Sequence, residues 1–207
     1  MYLSIESTRN TEVDMTRAVT VLAVVSGILL STEARAQGED WENPGLWVAA
    51  GGGYGLATTE CARCGGGSQG SFSLLAGVGG SASRSVRFGI EGVGWFQSTA
   101  DTAREYFGAT ALVQWFPVKT IPLSVQVGVG GGRVAQEAGG DLIEAAGFNI
   151  QLGANYDYYF SRHFALRPFF RYLFSRGLTT KLNRQVQFTD LNFGLLYFGV
   201  AVTWIKL

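Results

Sequence analysis

From Leu123 onward, apolar and polar positions trade places one by one. Leu123, Val125, Val127 and Val129 alternate with Ser124, Gln126, Gly128 and Gly130. A second run puts Phe148, Ile150, Leu152, Ala154, Tyr156 and Tyr158 against Asn149, Gln151, Gly153, Asn155 and Asp157. Period two is the signature of a strand, because successive side chains point to opposite faces. In both runs one face is apolar and the other is polar or glycine. Weaker copies recur: Phe72, Leu74 and Val78; Phe88, Ile90 and Phe96; Phe107, Val113 and Trp115; Leu166, Phe170 and Tyr172; Leu196, Phe198, Val200, Val202 and Trp204. A first strand near Leu46–Leu56 is rich in glycine and leaves its facing open. The pattern predicts eight strands, at about 45–57, 69–81, 85–98, 105–117, 121–133, 146–159, 164–176 and 189–205. No helical periodicity competes with them.

The connections also alternate. Those near Ser83, Lys119 and Ser161 are expected to be short turns. Those over Thr58–Ser68, Thr99–Arg104, Val134–Ala145 and Gly177–Gln187 are expected to be mostly longer polar loops. Short turns at one end and longer loops at the other fit an antiparallel up-and-down barrel in a membrane, with both ends of the chain at the short-turn side. The polar face is full of small residues, among them Ser71, Ser73, Gly77, Gly79, Ser124, Gly128 and Gly130. An eight-stranded barrel has an interior wide enough only for its own side chains. Small residues on some strands would leave room there for Trp95 and Phe169, and for Arg87, Glu91, Asp157, Arg167 and Arg171. Those five are expected to form a paired polar cluster that plugs the lumen, because buried charges are tolerated when paired and hydrogen-bonded. The apolar face ends in Phe96, Phe107, Trp115, Tyr158 and Trp204, which suits the aromatic girdles of a membrane barrel. Hydrocarbon forbids an open sheet edge, so the sheet must close. The fold expected for residues 45–207 is all-β: a closed, antiparallel, eight-stranded transmembrane barrel.

The first 36 residues read differently. Arg17 precedes an apolar run from Ala18 to Leu30, and Ala34-Arg35-Ala36 follows. A basic start, a short apolar stretch and an A-x-A site make a secretory signal. The run is too short to span a bilayer as a helix, which takes about 20 residues. Translation is expected to start at Met15 and cleavage to follow Ala36, leaving residues 37–44 as a short lead-in. The signal directs the chain out of the cytoplasm.

Composition narrows the function. Sixteen basic and sixteen acidic residues give no net charge, which argues against a nucleic-acid partner. A hydrophobic content of 47% excludes disorder. The 29 glycines follow no G-x-y repeat and do not indicate collagen. Cys61 and Cys64 in an exported chain are expected to form a local disulfide that staples the first loop. The same C-x-x-C lacks a following histidine for haem and a second pair for zinc. Gly51-Gly52-Gly53 and Gly128-Val129-Gly130-Gly131-Gly132 precede no helix and no G-K-[ST], so they are not phosphate loops. The single histidine, His163, falls in a predicted turn at the short-turn end, and a solvated turn residue is the expected reading. Catalytic, cofactor and metal sites are expected to be absent.

The signal and the eight alternating segments together resemble the small outer-membrane barrels of the OmpA transmembrane-domain and OmpX type. Tyr156-Asp157-Tyr158-Tyr159 followed by Leu166-Arg167-Pro168-Phe169-Phe170-Arg171-Tyr172 is similar to their sixth and seventh strands. Gly199-Val200-Ala201-Val202-Thr203-Trp204 resembles the C-terminal signal read by the barrel-assembly machinery, with Gly199, Val202 and Trp204 as its marks. That signal usually finishes on an aromatic residue, whereas Ile205-Lys206-Leu207 follows here. The resemblance implies the bacterial outer membrane as location, membrane lipid and the assembly machinery as partners, and a monomer. It leaves three readings: a structural or surface-interaction protein (favoured), an outer-membrane enzyme acting on lipid through His163, and a soluble periplasmic barrel with an apolar ligand.

Overall fold

The computed structural model describes residues 45–60, 67–99, 102–118, 120–138, 141–182 and 185–206. Its strands are β1 (Leu46–Glu60), β2 (Gly67–Ser83), β3 (Val86–Ser98), β4 (Thr102–Trp115), β5 (Leu123–Ala138), β6 (Asp141–Tyr156), β7 (Tyr158–Tyr159), β8 (Phe164–Leu182) and β9 (Gln185–Ile205). From β1 to β6 each strand pairs antiparallel with the next, β6 pairs with β8, β8 with β9, and β9 returns to β1. Eight long strands therefore form a closed ring. The two-residue β7 continues the line of β6 along β8, where Tyr158 faces Leu166. The two pieces are separated by Asp157, whose N–H donates instead to the Pro122 carbonyl at 2.9 Å.

Register fixes how far the strands tilt. Trp47 on β1 faces Gly79, which faces Gly89, then Leu112, Gly128, Gln151, Leu173 and Leu195. Leu195 in turn faces Ala57, ten residues further along β1 than the starting point (57 against 47). Such a stagger is what strand tilt produces when a sheet closes on itself.

The polarity of the wall is inverted. Ile90 and Phe148 on the outside are 58% and 59% exposed, while Leu195 and Tyr197 on the inside are fully covered. Outward positions between Val48 and Leu56, Phe72 and Val78, Phe88 and Phe96, Phe107 and Trp115, Leu123 and Val129, Ala146 and Tyr156, Phe164 and Phe174, and Leu196 and Trp204 carry no Asp, Glu, Lys or Arg. Charge reaches the surface beyond this belt at both ends: at Arg84, Arg162 and Lys206 beside the start of β1, and at Glu60, Glu105, Arg133, Glu137, Glu144, Arg176 and Lys181 towards the end remote from it. We call that end the rim and the opposite end the base. An uncharged apolar belt around a closed ring is the outer surface of a transmembrane barrel. Apolar side chains turned outward by the dozen would be untenable for a soluble barrel, which hides its apolar face.

The expected contrast between short turns and long loops does not hold. At the rim the strands run through much of the sequence expected to loop. Only positions 99–101, 139–140 and 183–184 separate β3 from β4, β5 from β6 and β8 from β9, and positions 61–66 separate β1 from β2. At the base, 116–122 is the longest connection, longer than any of these rim separations. Beyond the lipid the outer face of a ladder is wet, so polar residues such as Glu137 and Lys181 sit on it in strands without the apolar alternation that reveals the belt.

Candidate functional site

The interior is the place where side chains from opposite strands meet. Alternation delivers Arg87 and Glu91 from β3, Arg167 and Arg171 from β8, and Asp157 from the break between β6 and β7. All five are buried. Two ionic nodes result. Arg167 grips Asp157 through Nε and Nη2 at 2.5 and 2.9 Å, and Arg87 donates to the same carboxylate at 3.0 Å. Arg171 grips Glu91 through Nε and Nη2, each at 3.1 Å. Two-point contacts of this kind fix orientation as well as charge. β3 and β8 lie four places apart in the ring of eight, so the Glu91–Arg171 pair crosses the full lumen.

The remaining capacity of these ions is used locally. Glu91 also accepts from Gln151 Nε2 at 2.5 Å and from the Tyr197 hydroxyl at 3.4 Å. Arg171 also donates to Asn155 Oδ1 at 2.6 Å and to the Ala154 carbonyl at 3.0 Å. Three guanidinium groups face two carboxylates. The surplus positive charge lies against aromatic faces, with Arg87 over Phe116, Arg167 over Trp47 and Arg171 over Phe169 at 4.6, 5.5 and 5.4 Å. A cation over a ring face is attracted by the ring quadrupole. Gln114, Gln126, Ser124 and Asn155 extend the network around the base.

Towards the rim the interior changes character. Tyr106 on β4 stacks on Phe193 on β9 with centroids 4.8 Å apart and planes 18° apart. β4 and β9 are again four places apart, so this stack also spans the lumen. Asn149 Nδ2 donates to the Tyr106 hydroxyl at 3.1 Å. Trp95 Nε1 donates to the Gly55 carbonyl at 3.0 Å. Leu75, Val93, Leu173, Leu178, Leu191 and Leu195 fill the space around these rings. The interior is therefore not polar throughout, as the sequence pattern suggested. Small residues make room for large ones as expected, Gly55 for Trp95 and Gly153 for Arg171, and also for rings that alternation did not reveal. A side chain at Gly79 or Gly89 would overlap the indole of Trp47, and one at Gly108 or Gly132 would overlap the Tyr106 phenol.

Sequence reasoning missed Trp47, Tyr106, Phe193 and Tyr197. On β9 the lumen face is apolar from Leu191 through Phe193 and Leu195 to Tyr197, while the outer face mixes Asn192 and Gly194 with Leu196 and Phe198, so period two does not single out the lumen face there. His163 sits exposed in the base turn, and its backbone N–H donates to Ser161 Oγ at 3.3 Å. Among the described residues nothing orients its imidazole, and no group of three His, Cys, Asp or Glu could hold a metal ion. On β9, Gly199 faces Gly53, Val202 faces outward, and Trp204 lies half-buried on the outer surface. Cys61 and Cys64 lie outside the described residues, as do the leader over 1–36 and the lead-in over 37–44.

With this geometry in view, comparison with solved structures identifies the architecture. The structure is similar to the crystal structure of Neisserial surface protein A, with a TM-score of 0.52 and 16% identity, covering 80% of this chain and 100% of that one. Ail, the attachment invasion locus protein of Yersinia pestis, superposes with a TM-score of 0.48 and 13% identity over 77% of this chain and 98% of its own. OprG from Pseudomonas aeruginosa gives 0.48 and 9%, over 81% and 99%. No family model matches the chain, and no curated protein matches it. The likeness is one of fold. This chain is an eight-stranded barrel of the outer-membrane type, and the outer membrane is its location.

Proposed function

We propose that this chain works as a sealed, non-enzymatic barrel whose contribution is made by its outer wall and rim. One observation carries the reading: two side-chain bridges, Glu91–Arg171 and Tyr106–Phe193, cross the lumen at different depths. A channel of eight strands has little width to spare, and these bridges occupy it. A surface role gains support from the rim, where β5–β6 and β8–β9 continue as paired ladders to Ala138↔Asp141 and Leu182↔Gln185. There the outer face offers charges of both signs for contact with molecules outside the cell. His163, exposed at the base with nothing to orient it, gives no support to lipid chemistry at the rim.

The same proposal includes how the barrel arrives. The leader ending at Ala36 exports the chain, and Gly199, Val202 and Trp204 on the closing strand are read by the assembly machinery. One chain closes the ring, so the working form is a monomer in membrane lipid. Planar-bilayer recording of the refolded mature chain tests the sealed lumen. No unitary conductance steps are expected at any applied voltage that leaves the bilayer intact. Reproducible steps from the wild-type chain would show a pore and overturn the reading.

A further inference from the structure

Outside the barrel, near the rim, the wall holds a groove of about 400 Å³. Small-ligand sites commonly enclose roughly 300–1,000 Å³. Its floor is Gly194 on β9, where any side chain would meet Thr58 Oγ1 at 2.7 Å. Thr58 and Glu60 of β1 form one wall. Tyr172, Phe174 and Arg176 of β8 form the other, next to an irregularity between Ser175 and Leu178 that disturbs the ladder. Asn192 stands above the floor.

On all three strands the outward face changes from apolar to polar within this groove. The series runs Leu56, Thr58, Glu60 on β1, then Leu196, Gly194, Asn192 on β9, then Tyr172, Phe174, Arg176 on β8. The groove thus straddles the edge of the lipid belt, and it opens sideways. Below it, Phe170 and Phe198 face each other across β8 and β9 on the belt surface, 50% and 38% exposed. Its lining offers three chemistries. Tyr172 and Phe174 stack at 5.9 Å and present apolar ring surface. Arg176 brings a cation suited to phosphate, and it makes no ion pair among the described residues. Glu60 and Asn192 supply an acceptor and an amide for hydroxyl groups.

We propose that this groove binds the phosphorylated sugar headgroup of a glycolipid lying in the surrounding leaflet. The sugar's C–H face rests on Tyr172 and Phe174, its phosphate meets Arg176, and its hydroxyls meet Glu60 and Asn192. The acyl chains continue down the belt past Phe170 and Phe198. This reading stands whether or not the lumen conducts, so it survives failure of the sealed-barrel proposal.

The test uses the folded mature chain in phosphatidylcholine nanodiscs doped with lipid A, with bound lipid counted by native mass spectrometry. Wild-type protein should retain lipid A in preference to phosphatidylglycerol. Arg176→Gln should weaken that retention by about tenfold or more, since a hydrogen bond to a charged group is lost. Gly194→Trp, which fills the floor, should abolish it. Arg133→Gln, removing an outward arginine near the rim on β5, should leave it unchanged. A heat-dependent gel shift establishes that each variant is folded, and Arg176→Gln carries the test if Gly194→Trp is not. Equal weakening by Arg133→Gln would reduce the effect to general charge at the rim and overturn the site. Equal retention of phosphatidylglycerol would overturn the sugar assignment. Full displacement of lipid A by soluble glucosamine 1-phosphate would overturn the requirement for a lipid.

Discussion

The base and rim halves of the interior solve the same packing problem with opposite materials. At the base, three arginines and two carboxylates are held by two-point contacts and by aromatic faces. Towards the rim, rings and leucines pack against one another, with Asn149 and the Gly55 carbonyl satisfying the two polar ring atoms. A buried ion pair adds little net stability over a well-packed apolar pair, because desolvation offsets its attraction. It is nevertheless severe about geometry: removing one partner strands the other. Apolar packing stabilises in proportion to area and is indifferent to direction. The base therefore dictates which strands face each other, and the rim half supplies cohesion.

Substitutions can break or sharpen this contrast. The largest loss is expected for Asp157→Ala, which leaves Arg87 and Arg167 buried beside each other without their shared carboxylate. Urea unfolding of the refolded barrel should show a loss of about 3–5 kcal/mol. A loss below about 1 kcal/mol would mean that solvent reaches these guanidinium groups and that the base is not a dry ionic core. Next comes Leu195→Ala in the apolar half, expected to cost about 3 kcal/mol through lost burial and a residual cavity. If this change cost more than Asp157→Ala, the assignment of geometric strictness to the base would be reversed. Smallest is Tyr106→Phe, which keeps the stack on Phe193 and deletes only the bond from Asn149. Its expected cost is about 1 kcal/mol, and a cost near that of Leu195→Ala would make the hydrogen bond, not the stack, the keystone of the rim half.

The five charged residues of the base were legible because each stands alone among neighbours of opposite character. Arg87 precedes Phe88, Glu91 follows Ile90, and Arg167 and Arg171 sit between Leu166, Phe170 and Tyr172. Their partners were not legible. Nothing in one dimension tells Glu91 to meet Arg171, 80 positions away, and not Arg167. The apolar half was hidden for a different reason. Leu191, Phe193, Leu195 and Tyr197 put an apolar series on the lumen face of β9, which shows no polar mark. The ends of the strands were misjudged at the rim, because an outer face in water need not be apolar and the alternation fades there.

By itself the sequence determined the number of long strands, the order in which they run, and which residues of the clearest strands share an apolar face; that this face turns outward is seen in the structure. Period two couples polarity to direction, and a hydrocarbon solvent allows only one outcome for a sheet so patterned. Only the tertiary structure decided the ten-residue stagger, the pairing across the lumen, and the change from ionic base to apolar rim half. Those features depend on which strands become diametric neighbours. That is settled by closure of the ring, when β9 finds β1, and no local pattern along the chain contains it.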